Sequence, residues 1–128
     1  MTGRVVHFDI PYRNPEVLSA FYTDVFDWQL WPVEDLNYIG LSTGPTGADG
    51  LPSGPGYIGG GLSAARTTSD RPRIVIDVDD LDDALARVVD AGGSVVLQRT
   101  DVGELGCVAY FADPEGNILG LWQTRELG

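Results

Sequence analysis

The sequence predicts an α+β fold: two tandem βαβββ modules forming an open, curled mixed sheet around a central trough, with the helices on the outer face. Three observations predict it. Residues Val5 to Leu30 read strand, turn, amphipathic helix, and Arg73 to Val96 read the same way again. Sliding one copy onto the other sets Val6, Phe8 and Ile10 over Pro72, Ile74 and Ile76, and both runs alternate apolar with polar. A later echo sets Ile58-Gly59-Gly60-Gly61-Leu62 against Ile118-Leu119-Gly120-Leu121-Trp122. A half-unit of this kind cannot bury its own apolar face alone. The two copies are therefore expected to pack together and leave a ligand cleft between them.

The elements follow in order. Val5 to Ile10 places Val6, Phe8 and Ile10 on one face and His7 and Asp9 on the other, the pattern of a half-buried strand. Asn14-Pro15 supplies an N-cap and a proline at the first helical position. Leu18, Phe21, Tyr22 and Val25 then recur at helical spacing, predicting a helix over 15–26 with that stripe in the core. Trp28 to Trp31, Asn37 to Ser42 and Tyr57 to Leu62 read as strands. The Gly- and Pro-rich stretch Thr43 to Gly56 reads as a mobile hairpin loop. In the second copy Ile74, Ile76 and Val78 form the apolar face, opposite Arg73, Val75 and Asp77. Asp80 caps a helix with core stripe Leu81, Leu85 and Val88, ended by Gly92-Gly93. Ser94 to Gln98, Gly106 to Phe111 and Asn117 to Gln123 complete the strands, the last two joined by an Asp113-Pro114-Glu115-Gly116 turn.

Composition narrows the function. The formal net charge is −11, with 19 acidic residues against 8 arginines and no lysine. Nucleic acid and anionic membrane surfaces are poor partners for such a chain. Schiff-base, phosphate-loop and general-base lysines are excluded. The single Cys107 allows no internal disulfide and no cysteine-rich zinc site; within a strand it reads as a small buried hydrophobe. No stretch nears the roughly 20 apolar residues of a membrane span, and no apolar signal segment opens the sequence, so a cytoplasmic protein is expected. The 128 residues suit one domain over 1–128, with module one at 4–62, a linker at 63–72 and module two at 73–125.

Several motifs resemble those of the vicinal oxygen chelate superfamily, which includes glyoxalase I, extradiol dioxygenases and bleomycin-resistance proteins. They are His7 followed by Phe21-Tyr22, the run Ile76-Asp77-Val78-Asp79-Asp80-Leu81 with Ala91-Gly92-Gly93, and Phe111-Ala112-Asp113-Pro114-Glu115-Gly116-Asn117. The resemblance implies a divalent-metal site in the trough, held by a first-strand histidine in each half and last-strand carboxylates. His7 matches the first position. Its counterpart Arg73 cannot ligate, because guanidinium has no lone pair to give. The last-strand positions fall on Gly60 and Gly120, which carry no carboxylate. A divalent metal needs three or four protein ligands, so no metal and no other cofactor are expected.

His7 is either a pocket acid, base or hydrogen-bond donor, imidazole being the side chain suited to proton exchange near neutral pH, or an inherited strand residue. Asp9 shares its face and reads as solvated at the trough rim rather than as the group that orients the imidazole. Arg73 stands where a metal would have been; it either holds an anionic carboxylate or enolate or, the reading favoured, pairs with Asp9 or Asp77. Ile58, Gly60 and Leu62, with Ile118, Gly120 and Trp122, read either as pocket walls for a flat ligand or as core or dimer-interface residues. The acidic run Asp79, Asp80, Asp82 and Asp83 lies at a helix start and reads as structural.

The expected function is metal-independent binding of a small molecule, in the manner of drug- or metabolite-sequestering resistance proteins, by a homodimer. The alternative is a lyase or isomerase acting next to a carbonyl with His7 as base and Arg73 as enolate stabiliser. A metal-dependent glyoxalase or dioxygenase ranks third.

Overall fold

The computed structural model describes residues 3–33, 37–48, 50–67 and 70–125. Its elements are β1 (Arg4–Tyr12), α1 (Pro15–Phe26), β2 (Gln29–Val33), β3 (Tyr38–Ser42), β4 (Gly59–Ala64), β5 (Arg73–Asp77), α2 (Leu81–Asp90), β6 (Ser94–Val102), β7 (Gly106–Ala112) and β8 (Ile118–Thr124). The α+β class and the doubled βαβββ order are those the sequence predicts. The chain divides into two compact units, one of residues 7–72 and one joining 73–125 to residues 3–6. The Gly3 N–H donates to the Asp77 carbonyl at 2.9 Å, tying the start of the chain to the second unit. Strand β4 runs past Leu62 to Ala64. Ser63 and Ala64 still pair with Pro11 and Tyr12, and Ala65 N donates to the Tyr12 carbonyl at 2.8 Å.

In the first unit the strands lie in the order β2-β3-β4-β1. β2, β3 and β4 run antiparallel and β4 pairs parallel with β1. Helix α1 starts because the Asn14 side chain accepts the Val17 N–H at 3.2 Å and Pro15 fixes the first turn. It stops where Asp27 takes a left-handed conformation, φ 58°, and returns its N–H to Thr23. The apolar side of the sheet buries Leu41 and Leu62. Beside them Phe8 packs at a tilt against Trp28, and the Tyr22 and Trp28 rings stack nearly parallel at 4.8 Å. The stripe expected in the core is only partly there. No α1 residue is fully buried, and Phe21 and Val25 stay about half exposed. Phe21 turns its ring onto the edge of Tyr22 rather than onto the sheet.

In the second unit the order is β5-β8-β7-β6, with β5 parallel to β8 and the rest antiparallel. The α2 start is doubly satisfied. Asp80 Oδ1 accepts from Asp83 N at 3.0 Å, and Gln123 Oε1 accepts from Leu81 N at 2.8 Å. Leu81, Leu85, Val78, Ala109, Phe111 and Leu121 form the core. The acidic run is used structurally: beyond the Asp80 cap, Asp82 pairs with Arg99 at 2.9 Å and Asp83 with Arg87 at 3.0 Å, both on the surface, where such pairs contribute little.

The Asp113 turn is held by its own carboxylate, which accepts from Glu115 N, Asn117 N and Asn117 Nδ2, each at 2.9 Å. The Asn117 side chain, then these backbone donors, hold the Asp113 carboxyl below the ordinary carboxylate range. A depressed folded pKa gives stability that is complete above the unfolded value and lost as pH falls through the folded one. Asp113→Ala should therefore lower Tm at neutral pH, and the gap to the parent should close as acid titrates the group. A gap independent of pH would refute this reading of the turn.

Candidate functional site

Directly paired residues of neighbouring strands present their side chains to the same side of a sheet. In the first unit Trp31 pairs with Gly40, Gly40 with Gly61, and Gly61 with Asp9. Alternation adds Tyr38 on β3 and His7 on β1, the latter opposite Gly59. One face of this unit therefore carries His7, Asp9, Tyr38 and Trp31 above three glycines.

The polar atoms on that face close into a triangle. His7 Nε2 lies 2.5 Å from Tyr38 Oη and 3.2 Å from Asp9 Oδ1, and the Tyr38 hydroxyl donates to the same Asp9 oxygen at 3.3 Å. Using each proton once, with Tyr38 O–H donating to Asp9 Oδ1, Nε2–H is left to donate to Tyr38 Oη. This assignment leaves the lone pair on Nδ1. Among the described residues no hydrogen bond reaches Nδ1, and the His7 side chain is 33% exposed. A histidine held at one nitrogen by an oriented acid and open at the other is arranged to accept a proton or a hydrogen bond from a ligand. Asp9 is not solvated at a rim: it is 7% exposed and anchors the triangle from beneath. Gly61 makes the arrangement possible, because any Cβ there would occupy the place of the Tyr38 hydroxyl.

Tyr38, Trp31, Gly59 and Gly61 are absent from the sequence-based site. Gly60 and Leu62 belong elsewhere, since they pair with Phe8 and Ile10 on the apolar face. Ile58 precedes β4 and gives its carbonyl to the Thr43 hydroxyl at 3.0 Å. The echo matching Gly60 to Gly120 is one residue out of step. Asp9 pairs with Gly61 as Val75 pairs with Gly120, and a one-residue slip moves every side chain to the other face.

The second unit gathers Arg73, Asp77, Ile118, Gly120 and Trp122 on one face of its sheet, since Val75 pairs with Gly120 and Asp77 with Trp122. The Arg73 guanidinium sits 4.8 Å from the centroid of the Tyr110 ring, a cation–π contact, and that ring lies against Gly120. Trp122 Nε1 donates to Thr124 Oγ1 at 2.9 Å. Cys107 is buried, which pushes its thiol above the ordinary range against the nearby Arg99 charge, so it is a poor nucleophile.

The described residues offer few donors for a divalent metal. His7 and Asp9 are two potential ligands, and the described residues contain no group of three or more His, Cys, Asp or Glu able to hold an ion. The corrected last-strand position, Gly61, carries no carboxylate either. No described helix is long and apolar enough to cross a membrane.

The site can now be compared with known proteins. A solved methylmalonyl-CoA epimerase of Streptomyces coelicolor, in complex with 2-nitronate-propionyl-CoA, superposes with a TM-score of 0.67 over 98% of this chain and 100% of that one, at 16% identity. A hypothetical protein of Bacillus halodurans C-125 superposes with a TM-score of 0.65 over 98% and 96% of the two chains, at 12% identity. At such identities the likeness is one of fold. The anthracycline biosynthesis protein DnrV of Streptomyces peucetius is 30% identical over 94% of this chain and 47% of its own length. The chain thus spans about half the length of the curated relatives it matches. The family model for the glyoxalase/bleomycin resistance protein/dioxygenase superfamily matches residues 4–121, so the chain belongs to that superfamily.

Proposed function

We propose that this chain binds a small organic molecule without a divalent metal, on the polar face of its first unit, with His7 Nδ1 meeting the ligand. The observation that carries this is the triangle: Asp9 and Tyr38 hold the part-exposed imidazole at Nε2 and leave Nδ1 without a bond among the described residues. The scarcity of metal donors among the described residues supports it, as does a relative named for anthracycline biosynthesis. Native mass spectrometry and metal analysis of protein purified without chelator test it together. A bound organic mass that disappears in His7→Ala is expected. Stoichiometric nickel, zinc or iron would overturn the metal-free part, and an organic mass indifferent to His7 would overturn the site.

The same triangle favours a second reading, proton transfer next to a carbonyl. Nδ1 would take an α-proton, the electron pair would move to the carbonyl oxygen as an enolate, and the imidazolium would return the proton. Exchange of that proton with D2O, followed by NMR, should then be faster with the parent than with His7→Gln; equal rates would leave binding alone. A homodimer is part of the proposal, supported by the apolar α1 side chains Val17, Phe21 and Val25 left open to solvent. Light scattering at micromolar concentration should report twice the chain mass, and a monomer would refute it.

A further inference from the structure

On the first-unit face Trp31 and Tyr38 each lean over a glycine of the next strand. Trp31 stands on β2 but leans over β3, where a Cβ on Gly40 would lie 2.6 Å from its Cε2 and Nε1. Tyr38 stands on β3 but leans over β4, above Gly61, and reaches His7 on β1. The His7 and Tyr38 rings are within 23° of parallel, with centroids 6.2 Å apart. Each ring can lie low only because the next strand has a glycine there. Strands are about 4.8 Å apart, so rings reaching from above β3 to β1, two spacings, offer an aromatic surface on the order of 10 Å long.

We propose that this row is a stacking platform that selects a planar ligand of two or three fused aromatic rings, with Trp31 as its specificity-determining residue. The inference rests on the reading of His7 given above. Trp31 is 38% exposed, and among the described residues its Nε1–H has no hydrogen-bond partner. One end of the platform thus offers an N–H donor and the other the lone pair of His7 Nδ1. A flat ring system with an oxygen acceptor at one end and a hydroxyl at the other satisfies both. Charge narrows the class further. The Asp9 carboxylate lies beneath the row and the formal net charge is −11, so the ligand is neutral or cationic.

The test is a titration with 6-methoxy-2-naphthol, which has an acceptor oxygen at one end and a free hydroxyl at the other, followed by calorimetry or fluorescence, beside 6-hydroxynaphthalene-2-sulfonate and a saturated decalin diol. The parent should bind the neutral planar probe and bind the sulfonate and the diol more weakly. Trp31→Ala should weaken binding about 3- to 10-fold, the range of one aromatic contact. Trp31→Phe, which keeps a ring but no N–H, should fall between, and Val96→Ala, at an exposed position of β6, should change nothing. Because Trp31 is partly exposed, circular dichroism should show all variants folded. Equal affinity in Trp31→Ala, equal binding of the diol, or no binding of the planar probe would each overturn the platform. Loss of probe binding in His7→Ala with no change in Trp31→Ala sinks the platform and leaves the His7 reading standing. The reverse pattern sinks the His7 reading and keeps the platform.

Discussion

Leu62→Ala should destabilise the protein by about 2–5 kcal/mol, the usual cost of truncating a fully buried leucine in a core that relaxes only in part. Leu62 has no exposed surface. It pairs with Ile10 on one side and Ile39 on the other, in the middle of the first sheet, so no neighbour can move in without breaking ladder hydrogen bonds. Leu81→Ala should cost a similar amount in the second unit, where Leu81 is equally buried at the start of α2. Phe21→Ala should cost far less, because the Phe21 ring is half in solvent. Urea unfolding followed by tryptophan fluorescence measures all three. Leu62→Ala carries a second expectation, that the variant, once folded, binds ligand as the parent does, because Leu62 lies on the side of the sheet away from His7. A loss below 1 kcal/mol, or a selective loss of binding, would contradict the observed register.

What could be read from the sequence depended on how local its cause is. Helix α2 was legible because its cap, apolar stripe and stop all lie within fourteen residues: Asp80 accepts from Asp83, Leu81 and Leu85 face the core, and Gly92 takes φ 102°. Helix α1 showed equally clear ends, but how much of its stripe is covered depends on what packs against it, and sequence spacing carries no such information. The face of His7 and Asp9 was legible from alternation with Phe8 and Ile10. The phase of β4 was not. Gly59-Gly60-Gly61 has no side chains to alternate, so the run fits either register, and only pairing with β1 decides it. The burial of Asp9 was hidden for a related reason, since its cover is Tyr38, 29 residues away. A signal for Tyr38 did exist. It shares a strand face with Gly40 and Ser42, and a glycine facing other glycines implies that something large lies across the gap.

Two neighbouring glycine substitutions should separate stability from function. Neither Gly60 nor Gly61 has a positive φ, so alanine can adopt either backbone. At Gly60 a Cβ would lie 2.5 Å from the Phe8 carbonyl oxygen and 2.8 Å from the Phe8 ring. A carbonyl in the sheet cannot step aside, so Gly60→Ala should destabilise by about 1–3 kcal/mol, the cost of overpacking, and leave ligand affinity nearly intact. At Gly61 the obstacle is the free end of Tyr38, which can swing away at little cost in stability, while the smaller entropy of an alanine-containing unfolded chain offsets part of that cost. Swinging away breaks the 2.5 Å contact with His7. Gly61→Ala should then behave like Tyr38→Phe, with near-parental stability and ligand affinity lowered about 10- to 100-fold, the range for a hydrogen bond involving a charged network. Urea midpoints and ligand titrations on both variants give the answer. If Gly60→Ala loses binding while Gly61→Ala keeps it, then β4 presents its other face to the ligand, and the triangle around His7 is not the binding site.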